Sequence, residues 1–184
     1  MVPVVAALVV WRGFLNSKTG WLNRFIEWAG GEGPGWLQDP KWVLWALILI
    51  GLWGVGNAML ITLASMQGVP SALYEAGRID GAGPFRLFWS ITIPMITPVI
   101  FYNLILATVG LFRYFEVPYI LSQGTGDPDK SMWFFNMHFY NESFVLFNFG
   151  YGAALAWLLF FIAFAVTAVI FVTSKWWVYS PGGD

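Results

Sequence analysis

Three long stretches without a charged side chain constrain the fold of this sequence more than any other feature. They contain 33, 26 and 32 residues and lie between Lys41 and Glu75, between Arg86 and Arg113, and between Glu142 and Lys175. A helix needs about 20 apolar residues to cross a bilayer, and backbone polar groups at that depth must be paired within helices or a closed barrel. The stretches are too long and too uniformly apolar for alternating barrel strands. Membrane-crossing helices are therefore predicted at Trp42–Met66, Phe88–Phe112 and Gly150–Thr173.

The composition agrees with a membrane protein. Only 10% of the residues are charged, whereas a soluble domain carries about 25%. Aromatic residues make up 20%, with 12 Trp, and such rings settle at membrane interfaces. The apolar segment Val2–Leu15 is too short for a full crossing and carries Arg12 near its end. The predicted fold class is an all-α polytopic membrane protein with three full crossings and a partial N-terminal one.

Several function classes are excluded by residues that the sequence lacks. It has no Cys and a single His, and its net charge is −1. Thiolate chemistry is therefore absent, and neither a metal site nor a cofactor is predicted. No basic run favours nucleic acid. No phosphate-binding loop and no motif of a hydrolase or metalloprotease occurs, so we predict no catalytic residues.

A short charged segment, Leu73–Pro94, separates the first two predicted crossings. Pro70 favours the first turn of a helix, because its missing N–H would be unpaired there. A short helix is predicted over Ser71–Asp80, and Gly81–Pro84 should end it, since glycine tolerates positive φ at a helix end. A second helix then begins at Pro84. The segment should be a shaped helix–corner–helix element rather than a flexible tether.

The spacing of Glu75-Ala76-Gly77, Asp80-Gly81-Ala82 and Ile91, Ile93, Pro94 resembles the EAA loop of ABC-importer permease subunits, in particular the sugar-importer branch with its maltose- and glycerol-phosphate-type permeases. The likeness continues from about Pro3 to the C-terminus. It implies that residues 70–94 form a cytoplasmic loop that docks on a separate ATPase. Gly77 replaces the usual Ala, at about 1 kcal/mol of local helix stability. The coupling residues implied by the resemblance are Tyr74, Glu75, Ala76, Gly77, Asp80, Gly81, Ala82 and Pro94.

The resemblance also implies an assembly in the cell membrane. Its other members would be ABC ATPase subunits, a second permease subunit and an extracytoplasmic solute-binding protein, with lipid around them. Residues 1–184 would form a permease domain that is incomplete at its N-terminus, since the family has two or three helices before this point. Gly20 and Asn23 match a frequent G-x-x-N element of the family's external segment. The cytoplasmic placement of residues 70–94 rests on the resemblance alone, because the distribution of Lys and Arg slightly opposes it.

Polar and aromatic residues near the crossings are candidates for a substrate path, because polar groups at membrane depth usually face an interior. The candidates are Trp53, Asn57, Tyr102, Asn103, Arg113, Tyr114 and Glu116. The resemblance favours Arg113 and Tyr114. Each candidate also has an alternative interpretation. The Asn residues could form helix–helix hydrogen bonds, and Arg113 and Tyr114 could anchor the chain at the membrane interface. Trp53 and Tyr102 could pack against other helices or contact lipid. Acidic residues of the external loop, Glu116 among them, are interpreted as solvated charges rather than an acid–base pair.

The predicted function is a permease subunit of an ATP-driven importer, with a sugar or related polyol as solute. A secondary transporter or channel working without an ATPase is the first alternative, although its coupling charge is missing from the three full crossings. A membrane-embedded enzyme is the second, and only His138 and Glu142 approach the cluster it needs. The aromatic loop at Leu121–Gly150 would receive the solute-binding protein by resemblance, or anchor the chain at the interface.

Overall fold

The computed structural model describes residues 4–179, and all regular secondary structure in that range is helical. The α-helices are α1 (Val4–Phe14), α2 (Trp21–Trp28), α3 (Pro40–Trp53), α4 (Gly56–Gln67), α5 (Ser71–Ile79), α6 (Pro84–Leu87), α7 (Ile93–Phe112), α8 (Glu116–Leu121), α9 (Phe135–Tyr140) and α10 (Phe149–Ser174). Two π-helical turns lie at Phe88–Thr92 and Asn141–Val145. The first of them joins α6 to α7, so that Pro84–Phe112 is one continuous helix.

Two helices in the described part of the chain are long and apolar enough to cross a membrane. They are Pro84–Phe112 and Phe149–Ser174, which confirms the second and third predicted crossings. The first predicted crossing, Trp42–Met66, is not a single helix: α3 and α4 pass the same test only as a pair, with a break between Trp53 and Gly56. Gly51, Gly54 and Gly56 surround the break, and each glycine lowers helix stability by about 1 kcal/mol.

The described residues through Gly54, together with Arg113–Leu158, form one compact unit. Its apolar core combines α1, α3, α8 and the segments that connect them, and α1 packs against α8. The core is too small to bury the outer faces of these helices, and Trp45 of α3 remains 60% exposed. The buried residues of this core are Leu8, Leu15, Trp36, Leu37, Val43, Ala46, Leu47, Ile50, Leu121 and Met132.

Asn23 holds the segment between α1 and α3 together. Its amide nitrogen donates to the carbonyl oxygens of Ser17 at 2.9 Å and Pro34 at 3.1 Å, and its oxygen accepts from Trp36 Nε1 at 2.6 Å. The side chain is only 1% exposed. One buried amide thus closes two loops around α2, so the G-x-x-N element has a structural role here.

Replacing Asn23 by Ala should destabilise this segment, because the buried Trp36 N–H loses its acceptor and each buried group left unpaired costs about 1–3 kcal/mol. We expect faster proteolysis between residues 16 and 39 in the purified protein. Asn16→Ala is the matched control, since the Asn16 side chain accepts only from the exposed N–H groups of Lys18 and Thr19. Equal proteolysis of the two variants would contradict this account of Asn23.

The second compact unit comprises Val55–Phe112 and the described residues from Leu159 onward. In it α4 packs along α7, and Asn103 Nδ2 donates to Thr62 Oγ1 at 3.1 Å. The ring of Phe101 lies edge-on to Phe171, with 5.1 Å between the ring centroids. Apolar packing and the Asn103–Thr62 hydrogen bond therefore connect α4, α7 and α10.

Two prolines interrupt the hydrogen bonding of the Pro84–Phe112 helix without breaking it. The π-turn ends at Thr92, two residues before Pro94, and its wider ring of atoms accommodates a residue that lacks an N–H. Pro98 lies inside α7 and leaves the carbonyl of Pro94 without its usual donor. Thr97 Oγ1 donates to that carbonyl at 2.7 Å, and the Tyr179 N–H donates to Thr97 Oγ1 at 2.8 Å. The carbonyl of Pro94 is therefore paired with a neighbouring hydroxyl instead of a backbone N–H.

Candidate functional site

The end of α5 is a sharp, fully hydrogen-bonded corner. Gly81 N donates to Arg78 O at 3.0 Å and Ala82 N donates to Gly77 O at 2.9 Å, the pair of bonds that defines a Schellman motif. Gly81 has φ of +78°, which side-chain-bearing residues rarely adopt. The predicted helix, glycine corner and restart at Pro84 are confirmed. The Asp80-Gly81-Ala82 triplet is what this corner requires.

Two contacts attach α5 to the start of the long membrane helix. The Tyr74 hydroxyl and Thr92 Oγ1 are hydrogen-bonded at 2.8 Å. Gly77 faces Leu87 and Ile91, and a Cβ atom added to it would lie 2.5 Å from Leu87 Cδ2 and 3.2 Å from Ile91 Cδ1. The missing methyl group at Gly77 is therefore a packing feature, which allows α5 to lie close against Pro84–Phe112.

Gly77→Leu should force α5 away from Leu87 and Ile91, at about 1–3 kcal/mol for overpacking. We expect protease cleavage within residues 73–83 to accelerate. Gly77→Ala should have a small effect, since the displaced atom is the methyl end of a flexible side chain and Ala favours helix. Ala72→Leu, on an exposed position of the same helix, is the control. A cleavage rate unchanged by Gly77→Leu would show that this close packing is dispensable.

The outward face of α5 and α6 combines a carboxylate with large apolar side chains. Ile79 is 87% exposed and Phe85 is 77% exposed. Glu75 is exposed and takes no partner among residues 4–179. Apolar surface beside an unpaired charge is characteristic of a surface that binds another protein. The corner fixes the relative positions of these groups before any partner arrives.

The substrate-path candidates are divided between the two compact units. In the first unit, Arg113 and Glu116 are exposed, whereas the Tyr114 ring lies edge-on to Phe134 at 5.5 Å between centroids. Burial raises the pKa of Tyr114 to about 12, so the phenol stays neutral and remains a hydrogen-bond donor near pH 7. Trp53 is edge-on to Trp11 and lines an apolar recess of about 330 Å³ beside α1.

In the second unit the remaining candidates do not converge. Asn57 and Tyr102 are exposed, and Asn103 uses its amide to hold α7 against α4 through Thr62. That bond favours the helix–helix reading of Asn103. Its role in a substrate path, like that of Asn57 and Tyr102, stays a prediction.

Three contributors to the site were missed at the level of sequence. Thr92 anchors Tyr74, and Leu87 and Ile91 form the surface that receives Gly77. A signal existed for the last two, because a glycine inside a predicted helix often marks close approach of another element. No signal pointed to Thr92, whose partner lies 18 residues earlier.

Residues 1–178 match the family described as the binding-protein-dependent transport system inner membrane component. The chain belongs to this family. The family match confirms the identification made from Leu73–Pro94 and the location in the cell membrane as a multi-pass protein. The helices of the structure confirm the all-α fold class.

Curated relatives of this inner membrane component are permease proteins. It is 35% identical over 176 residues to the probable ABC transporter permease protein YesP of Bacillus subtilis, covering 95% of this chain and 57% of the relative. It is 33% identical over 168 residues to the sulfoquinovosyl glycerol transport system permease protein SmoG of Agrobacterium fabrum, covering 91% and 54%. It is 32% identical over 170 residues to the trehalose/maltose transport system permease protein MalF of Thermococcus litoralis, covering 91% and 56%. The chain thus spans about half the length of these relatives.

A solved structure shows the same fold. A chain in the crystal structure of a bacterial alginate ABC transporter, in complex with an alginate pentasaccharide-bound periplasmic protein, superposes with a TM-score of 0.84 at 21% identity. The match covers 95% of this inner membrane component and 61% of the other chain. The arrangement of helices is therefore shared with that chain.

Proposed function

We propose that this chain forms part of the translocation pathway of an ATP-driven importer whose solute is a sugar or related polyol. ATP hydrolysis takes place on separate ATPase subunits, which bind the segment Leu73–Pro94. A second permease subunit and an extracytoplasmic solute-binding protein complete the assembly. Family membership and relatives named for the transport of trehalose/maltose and sulfoquinovosyl glycerol support this proposal.

The observation that carries the proposal is the rigid attachment of an exposed helical element to a membrane helix. A partner that pulled on a flexible tether would move the tether alone. Here the Schellman corner, the Tyr74–Thr92 hydrogen bond and the packing of Gly77 connect α5 to Pro84–Phe112. Motion of an ATPase bound at Glu75 and Ile79 is therefore transmitted to the helix as a rigid-body displacement.

Purification of the chain from its native membrane tests the proposal. We expect an ATPase and a second permease to co-purify, and uptake of a sugar by proteoliposomes to require ATP and the solute-binding protein. Uptake that proceeds without an ATPase and follows an ion gradient would instead support the secondary transporter. Comparing uptake with and without an ionophore separates the two outcomes.

A further inference from the structure

A second concave site lies in the segment that follows the Pro84–Phe112 helix. It has a volume of about 240 Å³ and is formed by α8, the turn at residues 123–126, Trp133 and the end of α9. Its walls are the rings of Tyr119, Trp133 and Tyr140, and Asn141 contributes an amide. We call it the loop pocket. If Leu73–Pro94 faces the cytoplasm, the intervening crossing places this pocket on the opposite side of the membrane.

Two glycines let the aromatic walls approach the backbone. Gly124 and Gly126 have φ of +79° and +77°. A Cβ atom on Gly124 would lie 3.2 Å from Tyr119 Cε2, and one on Gly126 would lie 2.7 Å from Trp133 Cε3. Lys130 fixes the rim, because its Nζ donates to Thr125 O at 2.7 Å and lies 4.7 Å from the Trp133 ring centroid. These contacts fix the walls of the pocket.

A cluster of aromatic rings in edge-on and tilted contact supports the opposite wall. The ring centroids of Tyr119 and Tyr140 are 5.2 Å apart, and Phe115 lies 5.0 Å from Tyr119 and 5.2 Å from Tyr140. A hydrogen bond with Tyr140 raises the pKa of the Tyr119 phenol above its ordinary value. Rings held in this way present fixed π faces.

The chemistry of the lining defines the kind of ligand. None of the described side chains that line the pocket is charged, and the Lys130 ammonium at its rim already donates to Thr125 O. The lining therefore favours a neutral ligand. The Asn141 amide takes no partner among residues 4–179 and offers two donors and an acceptor. Aromatic faces with a few polar groups suit a ring that is apolar on its faces and hydroxylated at its edge. The volume is smaller than the roughly 300–1,000 Å³ of pockets for drug-sized ligands.

We infer that the loop pocket binds one neutral sugar or polyol ring outside the membrane-spanning helices. Trp133 and the Tyr119–Tyr140 pair contact the faces of the ring, and Asn141 binds its hydroxyl groups. This inference rests on the proposed function, because an importer of sugars supplies the ligand. It adds a site distinct from Arg113 and Tyr114, at which solute is held next to the translocation pathway.

Saturation-transfer NMR on the complete importer in nanodiscs, without the solute-binding protein, tests the inference. The probes are methyl α-D-glucopyranoside, methyl β-D-galactopyranoside and myo-inositol, with D-glucuronate as the charged comparison. We expect saturation transfer to at least one neutral probe and none to D-glucuronate. Asn141→Ala should weaken binding by roughly fivefold or more, the factor of one lost hydrogen bond. Trp133→Ala should abolish it, and Trp133→Phe should retain part of it.

Trp28→Ala is the matched control, because Trp28 is an exposed tryptophan of the same compact unit outside the pocket. The inference is overturned if no neutral probe binds, if D-glucuronate binds equally well, or if binding is lost with Tyr114→Ala and retained with Trp133→Ala and Asn141→Ala. ATP-driven import measured on the same preparation keeps the two proposals apart. Import without probe binding removes the loop pocket alone, whereas probe binding without ATP-driven import removes the proposed function.

Discussion

Replacing Glu75 by Lys is expected to reduce ATP-driven import by at least roughly 30-fold, while the chain still inserts and assembles in the membrane. The carboxylate is exposed on a rigid helix and unpaired among residues 4–179, which leaves it available for a charge-assisted hydrogen bond with a cation of the ATPase. Removing one partner of such a pair costs about 2–5 kcal/mol, and each 1.4 kcal/mol is about tenfold. Reversal of the charge adds repulsion. Uptake and ATPase activity in proteoliposomes measure the effect.

Two further variants make the Glu75 result specific. Glu75→Gln keeps the shape and one acceptor, so it should fall between wild type and Glu75→Lys. Glu32→Lys reverses an exposed charge in the segment between α2 and α3 and should import normally. If Glu75→Lys imports at the wild-type rate, the ATPase does not bind the carboxylate of α5.

Tyr114→Ala is expected to lower import by roughly tenfold or more. The ring is half-buried against Phe134 at the end of the Pro84–Phe112 helix, and an aromatic pair contributes about 0.5–1.5 kcal/mol beyond its buried area. Its phenol, neutral up to a pKa of about 12, is a donor for a solute hydroxyl. The alanine variant loses both the packing and the donor. Initial uptake rates over a range of solute concentrations separate weaker binding from slower transport.

The variant Tyr114→Phe distinguishes a solute contact from packing. It keeps the ring against Phe134 and loses only the hydroxyl, so a role in solute binding predicts a raised KM with a nearly unchanged maximal rate. Tyr151→Ala removes an exposed tyrosine of α10 and is the control. A wild-type KM and maximal rate for Tyr114→Ala would remove this residue from the substrate path.

Charge spacing predicted the membrane helices well, because charged side chains are costly in lipid and leave long gaps between them. The same reasoning did not reveal the break inside the first predicted crossing, Trp42–Met66. Charge spacing and hydropathy do not change at Gly54 and Val55, so they indicate one helix where the structure has two that pass the span test only together. Three glycines within six residues were the available signal, and their low helix propensity is consistent with the break.

The local shape of α5 was predictable, whereas its attachment was not. Pro70, Gly81 and Pro84 have conformational preferences that act within a few residues. The Tyr74–Thr92 hydrogen bond depends on how two helices pack, and the bond from Tyr179 to Thr97 joins residues 82 positions apart. Neither distance is encoded in a local pattern. Gly77 illustrates the difference, since propensity predicts only a cost and the structure supplies its packing role.

Site-specific cross-linking from Ile79 tests the central claim most directly. The chain has no cysteine, so Ile79→Cys introduces a single thiol on the most exposed apolar position of α5, and Trp28→Cys provides a control on α2. A photoactivatable thiol reagent applied to inside-out membrane vesicles should link position 79 to an ATPase subunit, in a yield that changes when ATP is added. Position 28 should give no such product. Labelling of position 79 in intact cells by a membrane-impermeant maleimide, with no ATPase adduct, would contradict the account.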